Sequence, residues 1–313
     1  MRQPFKTRDL KAELERARGF SLRSLSRLDG ASALNFKAVR EPDGLAFAVK
    51  CLPVERHGIF EHLVRHLDET KGTKAVFRLF AEECPRTFRS YNVICLSWCD
   101  GERLFPDQLT PEQFADFLKE YLTFSAAMQK STRVLPADPI ADWRTEALAA
   151  CCGFRGRWLH RLIERELPAD VVAYRQDRLG VIHGDFHHGN FLFVDGRLTG
   201  FFDLEEFCEG YPADDIVRYI VCAAEHLKWY EQWRKREILK RFSEAVDQLP
   251  YPEDEWQTAI GGLLIRKIIK KIGGRRLGLF QMLNLLFRAR FYLALKCVVR
   301  LSRHRRGVGS RRF

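Results

Sequence analysis

The chain has 313 residues, 46% of them hydrophobic, and a formal net charge of +11. That is enough apolar content for one compact, two-lobed unit, and no repeat, low-complexity tract or long polar linker interrupts it. The charge is regional: residues 257–313 hold fifteen Lys/Arg and no Asp/Glu, so residues 1–256 sum to −4, which excludes a uniformly basic chain.

The N-terminus is basic and polar and lacks an apolar signal core, an expectation of cytoplasmic location. Ser26 to Asn35 is a small-residue turn between two strands, and Phe36-Lys-Ala-Val39 comes after it. Glu41-Pro-Asp-Gly44 is a turn, and Leu45-Ala-Phe-Ala-Val-Lys50 reads as a third strand. Ile59, Phe60, Leu63, Val64 and Leu67 have helical spacing, predicting a helix over 58–70 packed on that sheet. Tyr91 to Trp98 is the last strand of this region, and Cys99-Asp-Gly101-Glu is a hinge to the remainder of the chain. Nine cysteines show no disulfide framework or second metal pair, which predicts reduced thiols.

Val181-Ile-His-Gly-Asp-Phe-His-His-Gly-Asn190 comes next, then Phe201-Phe-Asp-Leu-Glu205. Phe191–Val194 and Leu198–Phe202 read as strands, with Asp195-Gly196 as the hairpin turn. Asp185 and Asn190 are five apart, and Asp203 lies thirteen beyond. Phosphoryl transfer to a hydroxyl needs one carboxylate to orient the acceptor, and an amide and a carboxylate on the Mg2+ that bridges nucleotide phosphates. A kinase catalytic loop supplies these at that spacing. Asp185 is then the candidate base, and Asn190 and Asp203 the candidate metal ligands. His183 reads as a brace for the loop, and a zinc site from His187 and His188 lacks further ligands.

With Gly210-Tyr-Pro212-Ala-Asp-Asp215, these motifs resemble the aminoglycoside phosphotransferase and choline kinase superfamily, and are similar to bacterial lipopolysaccharide-core sugar kinases. The resemblance is tight over residues 181–216, looser over 28–101 and weak elsewhere. It implies an α+β, two-lobed, protein-kinase-like fold. A small β-rich N-lobe would span 1–99, and a larger, mostly helical C-lobe 100–313, the latter carrying the catalytic loop, the β-hairpin and a basic helical tail at 257–313. It implies ATP and Mg2+ as cofactors. Lys50 would pair with the α/β-phosphates, and Gly30, Ser32 and Asn35 would offer donors to phosphate. Glu61 would pair with Lys50, with Glu69 as a rival. The adenine edge would meet backbone groups near Ser97 and Cys99. Gly210, Pro212 and Asp215 would brace the C-lobe. Gly184 where protein kinases carry Arg, and Leu204-Glu205 where they carry Phe-Gly, argue against a protein substrate.

Within the tail, Ile265, Ile268, Ile269 and Ile272 form one face and Arg266, Lys267, Lys270 and Lys271 the other, while Leu277 to Leu301 is more apolar. No run reaches the roughly 18–20 apolar residues of a membrane span. The tail is expected either to pack on the C-lobe or to lie on an anionic membrane surface. No base-reading motif supports a specific nucleic acid partner. A basic region suits a sugar acceptor on a phosphorylated, carboxylate-bearing glycolipid, such as a heptose or Kdo of a lipopolysaccharide core. The alternatives are a soluble small-molecule kinase and a non-catalytic kinase-fold module at the membrane. Trp229, Tyr230 and Trp233 are read as helix packing, with sugar platforms as the second possibility.

Overall fold

A computed structural model describes residues 5–28, 33–80, 87–129, 180–228, 230–272 and 290–302, with a few positions between 148 and 165. In chain order the elements are α1 (Thr7–Arg18), β1 (Leu22–Leu28), β2 (Leu34–Arg40), β3 (Ala46–Pro53), α2 (His57–Leu67), β4 (Thr87–Phe88), β5 (Tyr91–Ser97), α3 (Pro111–Met128), β6 (Gly180–Ile182), β7 (Phe191–Val194), β8 (Arg197–Phe201), β9 (Cys208–Gly210), α4 (Pro212–His226), α5 (Gln232–Gln248) and α6 (Glu253–Ile272). Residues 290–302 form a further helix. The chain divides into two compact units.

The first unit comprises Met1–Glu102, Ala126–Ser131 and Phe191–Glu205. Its antiparallel sheet has the order β1-β2-β3-β5-β4. Alternation sets the sheet's faces. Leu34, Phe36 and Ala38 of β2 and Phe47, Val49 and Cys51 of β3 bury in one core with Leu10 and Leu14 of α1. Lys50, between Val49 and Cys51, therefore points from the opposite face. A one-residue register slip would put the ammonium into the apolar core. The expectation of one helix in this lobe is corrected: α1 is a second. Its inward stripe is Leu10 and Leu14 in an otherwise highly charged segment, too thin a pattern to read from sequence.

The hairpin β7–β8 also belongs to this unit. Asp195 and Gly196 both have positive φ, 51° and 72°, as a type I′ turn requires. The strands are anchored on both edges. Glu102 N–H donates to Phe193 O at 2.8 Å and Phe193 N–H returns to Glu102 O at 2.9 Å. Val76 N–H donates to Phe201 O and Phe201 N–H to Lys74 O, both at 2.9 Å. A single cut near residue 99 would give this hairpin to the helical lobe; these backbone pairs tie it to Lys74, Val76 and Glu102 of the first unit.

The second unit comprises Arg103–Ser125, Thr132–Asn190 and Glu206–Phe313. α3 begins with a capping box: Thr110 Oγ1 accepts from Gln113 N–H at 3.2 Å, and Gln113 Oε1 accepts from Thr110 N–H at 2.9 Å. α3 buries Phe114, Phe117, Tyr121 and Phe124. α4 is apolar around most of its circumference and sits in the core, burying Ala213, Ile216, Val217, Tyr219 and Ile220. α6 contributes Trp256, Ile260, Leu264 and Ile265, all buried. The part of the expected tail that lies in α6 up to Lys267 is thus core helix. The side chains of Ile268, Ile269, Lys270, Lys271 and Ile272, and residues 273–289 and 303–313, lie outside the described residues. The helix at 290–302 buries Tyr292, Leu295 and Val299 and leaves Leu293 and Leu301 exposed. Tyr230 and Trp233 are exposed too, which corrects the packing reading for both, and Trp229 lies outside the described residues. Among the described residues no helix is long and apolar enough to cross a membrane. Among the described residues six cysteines are free, Cys51 and Cys95 of them buried.

Candidate active site

In the first unit the centre is Lys50, a lysine only 5% exposed. Its Nζ lies 2.5 Å from Asp203 Oδ1 and 2.5 Å from Glu205 Oε2. Burial works against the ammonium charge, but the carboxylates of Glu205 and Asp203 outweigh it and raise the pKa. For Glu205 burial dominates: its carboxyl pKa is raised despite Lys50, with Asp203 adding repulsion. Glu205 Oε1 is buried without a hydrogen-bond partner. Asp203 has φ 67°, an uncommon left-handed conformation for a residue with a side chain.

The expected Lys50–Glu61 pair is not formed. Glu61 is on the solvent flank of α2, 41% exposed and 3.8 Å from His57, because Phe60, Leu63 and Leu67 take the inward face. The rival Glu69 bonds His66 at 2.9 Å. The carboxylates that reach Lys50 come just after the hairpin, in the Asp203-x-Glu205 motif itself. Asn35 lies on β2 opposite Lys50 in register. Gly30 and Ser32 lie outside the described residues. Ser97 is engaged: its N–H donates to Phe77 O at 3.0 Å and its Oγ accepts from Phe77 N–H at 3.1 Å. Its N–H is therefore spent before any base could use it. Cys99 packs against Gly200, where an added Cβ would meet its Sγ at 2.1 Å. Burial pushes the Cys99 thiol up to about 11, with Asp100 adding to the shift.

In the second unit the centre is Asp185. Burial works against its charge, but a hydrogen bond from His187 and the charges of His187, Arg218 and His183 hold the carboxyl down at about 2. His187 Nε2 lies 3.3 Å from Oδ2, and Arg218 Nη1 lies 3.7 Å from Oδ1. Asn190 Nδ2 donates to the Asp185 carbonyl at 2.9 Å, closing the loop on itself. That orients Asn190 Oδ1, an oxygen suited to a hard cation, as the atom left for a ligand.

The loop is held from beneath by Asp215. This residue is fully buried in the first turn of α4, and its carboxylate accepts from His183 N–H at 2.8 Å and Gly184 N–H at 3.1 Å. Tyr121 Oη stands 3.2 Å from it. Burial pushes the Asp215 pKa up, against the pull of His183, Arg218 and the two amides. Gly184 has φ 75°, and a Cβ there would lie 2.0 Å from Glu206 O. Only glycine fits, which explains the departure from the arginine of protein kinases. The His183 ring is buried, its Nδ1 accepting from Asp185 N–H at 3.3 Å.

Three features are missed by sequence reasoning. Glu205 as the Lys50 partner has a signal, since it closes the Asp203-x-Glu205 motif. His187 has one too, but only as a rejected zinc ligand. Arg218 has none, being one of many arginines on an amphipathic pattern.

The chain matches the model of the phosphotransferase enzyme family over residues 56–253. No curated protein matches it. Among solved structures it is similar to an amicoumacin kinase in complex with AMP-PNP, Ca2+ and Ami, at 12% identity and TM-score 0.64, covering 93% of each chain. It is similar to an aminoglycoside phosphotransferase from Alicyclobacillus acidocaldarius, at 15% identity and TM-score 0.62, covering 97% of this chain and 98% of that one. It is also similar to a spectinomycin phosphotransferase in complex with ADP and spectinomycin, at 14% identity and TM-score 0.55, covering 96% and 98%. These likenesses establish the protein-kinase-like fold. The family match spans well over half of the chain, so the chain belongs to the phosphotransferase enzyme family and is a phosphotransferase.

Proposed function

We propose that the chain transfers the γ-phosphate of ATP to a sugar hydroxyl, with Asp185 orienting that hydroxyl and receiving its proton as the new P–O bond forms, while the bond from Pγ to the β–γ bridging oxygen breaks and ADP leaves. The observation that carries this is the state of Asp185: ionised, partly open, and fixed by Asn190 and the Asp215-braced backbone. An ionised carboxylate is what positions a neutral hydroxyl for attack. Lys50 would hold the α/β-phosphates, exchanging part of its contact with Asp203 and Glu205 for them. Gly30, Ser32 and Asn35 would offer donors to the same phosphates, and Cys99 a backbone group to the base. Asn190 through Oδ1 and Asp203 would hold Mg2+. Glu205 fits as a third, since its unpartnered Oε1 is a hard oxygen. When bound, the cation neutralises charge developing on the transferred group.

The acceptor reading supported by charge is a heptose or Kdo of a lipopolysaccharide core, a glycolipid made anionic by its carboxylates and phosphates, met at an anionic membrane surface on the cytoplasmic side. Residues 257–313 lack any acidic residue. Leu293 and Leu301 lie exposed on the helix at 290–302, beside exposed Arg290 and Arg300. A second reading, a soluble small-molecule acceptor, is favoured by α6: it buries Ile265 and pairs Lys267 with Glu225 at 2.6 Å, removing part of the basic tail from any membrane role. The intact set of Asp185, Asn190 and Asp203 argues against the non-catalytic module, which measurable phosphate transfer would eliminate.

The test is phosphate transfer from Mg-ATP, read by mass shift, to lipopolysaccharide inner core and to a panel of aminoglycosides, choline-like amines and free sugars. Transfer to the core alone supports the first acceptor, and transfer to a panel member alone supports the second. Asp185→Ala should cut turnover by about 10²–10⁴ while the circular dichroism spectrum stays unchanged. Undiminished transfer by that variant would overturn the assignment of Asp185.

A further inference from the structure

Arg218 lies on α4, three residues beyond Asp215, with a side chain only 12% exposed. A guanidinium has five N–H donors in a planar fork, and buried polar groups are nearly always satisfied. Two arginines of the neighbouring helix α5, Arg234 partly buried and Arg241 buried, obey that rule. Arg234 spends its fork on Asp107 at 2.6 Å and Glu231 at 2.9 Å. Arg241 spends its own on Leu109 O at 2.8 Å and Glu244 at 2.8 Å. Arg218 does not. Its Nε is buried without a partner, and its approach to Asp185, at 3.7 Å, is an ion pair longer than a hydrogen bond. Among the described residues it forms no other ion pair and no side-chain hydrogen bond, although its charge also acts on the Asp215 carboxyl. Leaving such donors unmet costs stability unless a ligand brings acceptors.

We propose that Arg218 is an anion-binding residue beside Asp185 that takes a carboxylate or phosphate group carried by the acceptor. The inference rests on Asp185 being the acceptor's partner, and it names a feature of that acceptor. Asp185 turns one oxygen, Oδ1, toward the guanidinium and the other toward His187, so the rest of the fork remains for an oxyanion. Planar bidentate contact with carboxylate or phosphate is what arginine does better than lysine. Farther along the same helix stands Glu225, an acid that would repel an anion, but Lys267 neutralises it at 2.6 Å. Cys222, between the two, is held protonated, burial raising its pKa. A polycationic acceptor would meet a guanidinium next to its reacting hydroxyl.

The same chemistry could serve the transferred γ-phosphate instead, and the experiment separates the two. Inorganic phosphate is titrated calorimetrically into the protein saturated with Mg-ADP and, separately, with Mg-AMP-PNP, which fills the γ position. The expected result is one phosphate bound in both states, weakened about 10–100-fold by Arg218→Met. Arg218→Lys, which keeps the stem and charge but loses the fork, should fall between and covers the case that Arg218→Met fails to fold. Equal affinity in wild type and both variants overturns the proposal. So does absence of millimolar binding in the wild type. Binding that AMP-PNP abolishes gives the residue to the γ-phosphate and also overturns it. Failure of either nucleotide to bind would strike the nucleotide-site reading alone, because the comparison of wild type and variants can still be made on nucleotide-free protein.

Discussion

Asp185 and Lys50 show how two charged side chains are kept in opposite ways. Asp185 has a folded-state pKa lowered from 3.8 to about 2, so its ionisation contributes stability that is full above the ordinary carboxylate range and is lost as pH falls toward 2. Between pH 6 and 8 it should therefore add no inflection to the rate profile. A carboxyl-carbon NMR titration should place its midpoint near 2, and His187→Ala should move that midpoint upward toward 3.8 by removing a hydrogen bond and a charge. Lys50 is buried between two carboxylates. Lys50→Met strands a buried Glu205 charge and should cost about 3–5 kcal/mol. Adding Glu205→Gln to that variant removes the stranded charge, so the double variant should be more stable than Lys50→Met alone. Denaturant melts of the four proteins give the coupling directly, and simple additivity would mean the two groups do not interact.

Hairpin β7–β8 depends on positions where a side chain has no room. At Gly101, φ is 136° and an added Cβ would lie 2.4 Å from Phe193 O, a backbone atom that cannot swing aside. Gly101→Ala should break the paired Glu102–Phe193 bonds and cost more than about 2 kcal/mol, measured by urea unfolding. Gly200→Ala meets a thiol instead, Cys99 Sγ, which can rotate, and should cost less. At this scale much is legible in the sequence. The hairpin, its Asp195-Gly196 turn, the strand ending at Lys50 and the strand from Tyr91 all announce themselves through alternation and turn residues, to within a few residues. The loop motif is legible because its chemistry demands fixed residue types at fixed spacing. Helix α1 is not, because two leucines carry its whole buried face. Nor is the partner of Lys50: a helix glutamate and a loop glutamate look alike until packing decides which side of α2 faces the sheet. Arg218 is illegible for another reason, since an unmet donor exists only in three dimensions.

For the molecule as a whole, ligand binding and folding are linked. Mg-ATP at about 100 times its dissociation constant should stabilise the protein by about 2.7 kcal/mol, visible as a rise in Tm that EDTA lowers and Asp203→Asn removes. A rise unaffected by Asp203→Asn would count against Asp203 as a metal ligand. The first unit also has a schedule. Its sheet is complete in sequence at Ser97, yet the carboxylates that neutralise Lys50 come 153 and 155 residues after it. At roughly 5–20 residues per second of synthesis, the ribosome delivers Lys50 about 8–30 seconds before Asp203 and Glu205. Through that interval the nascent sheet must leave this ammonium in water, so its burial can come only once the hairpin has emerged.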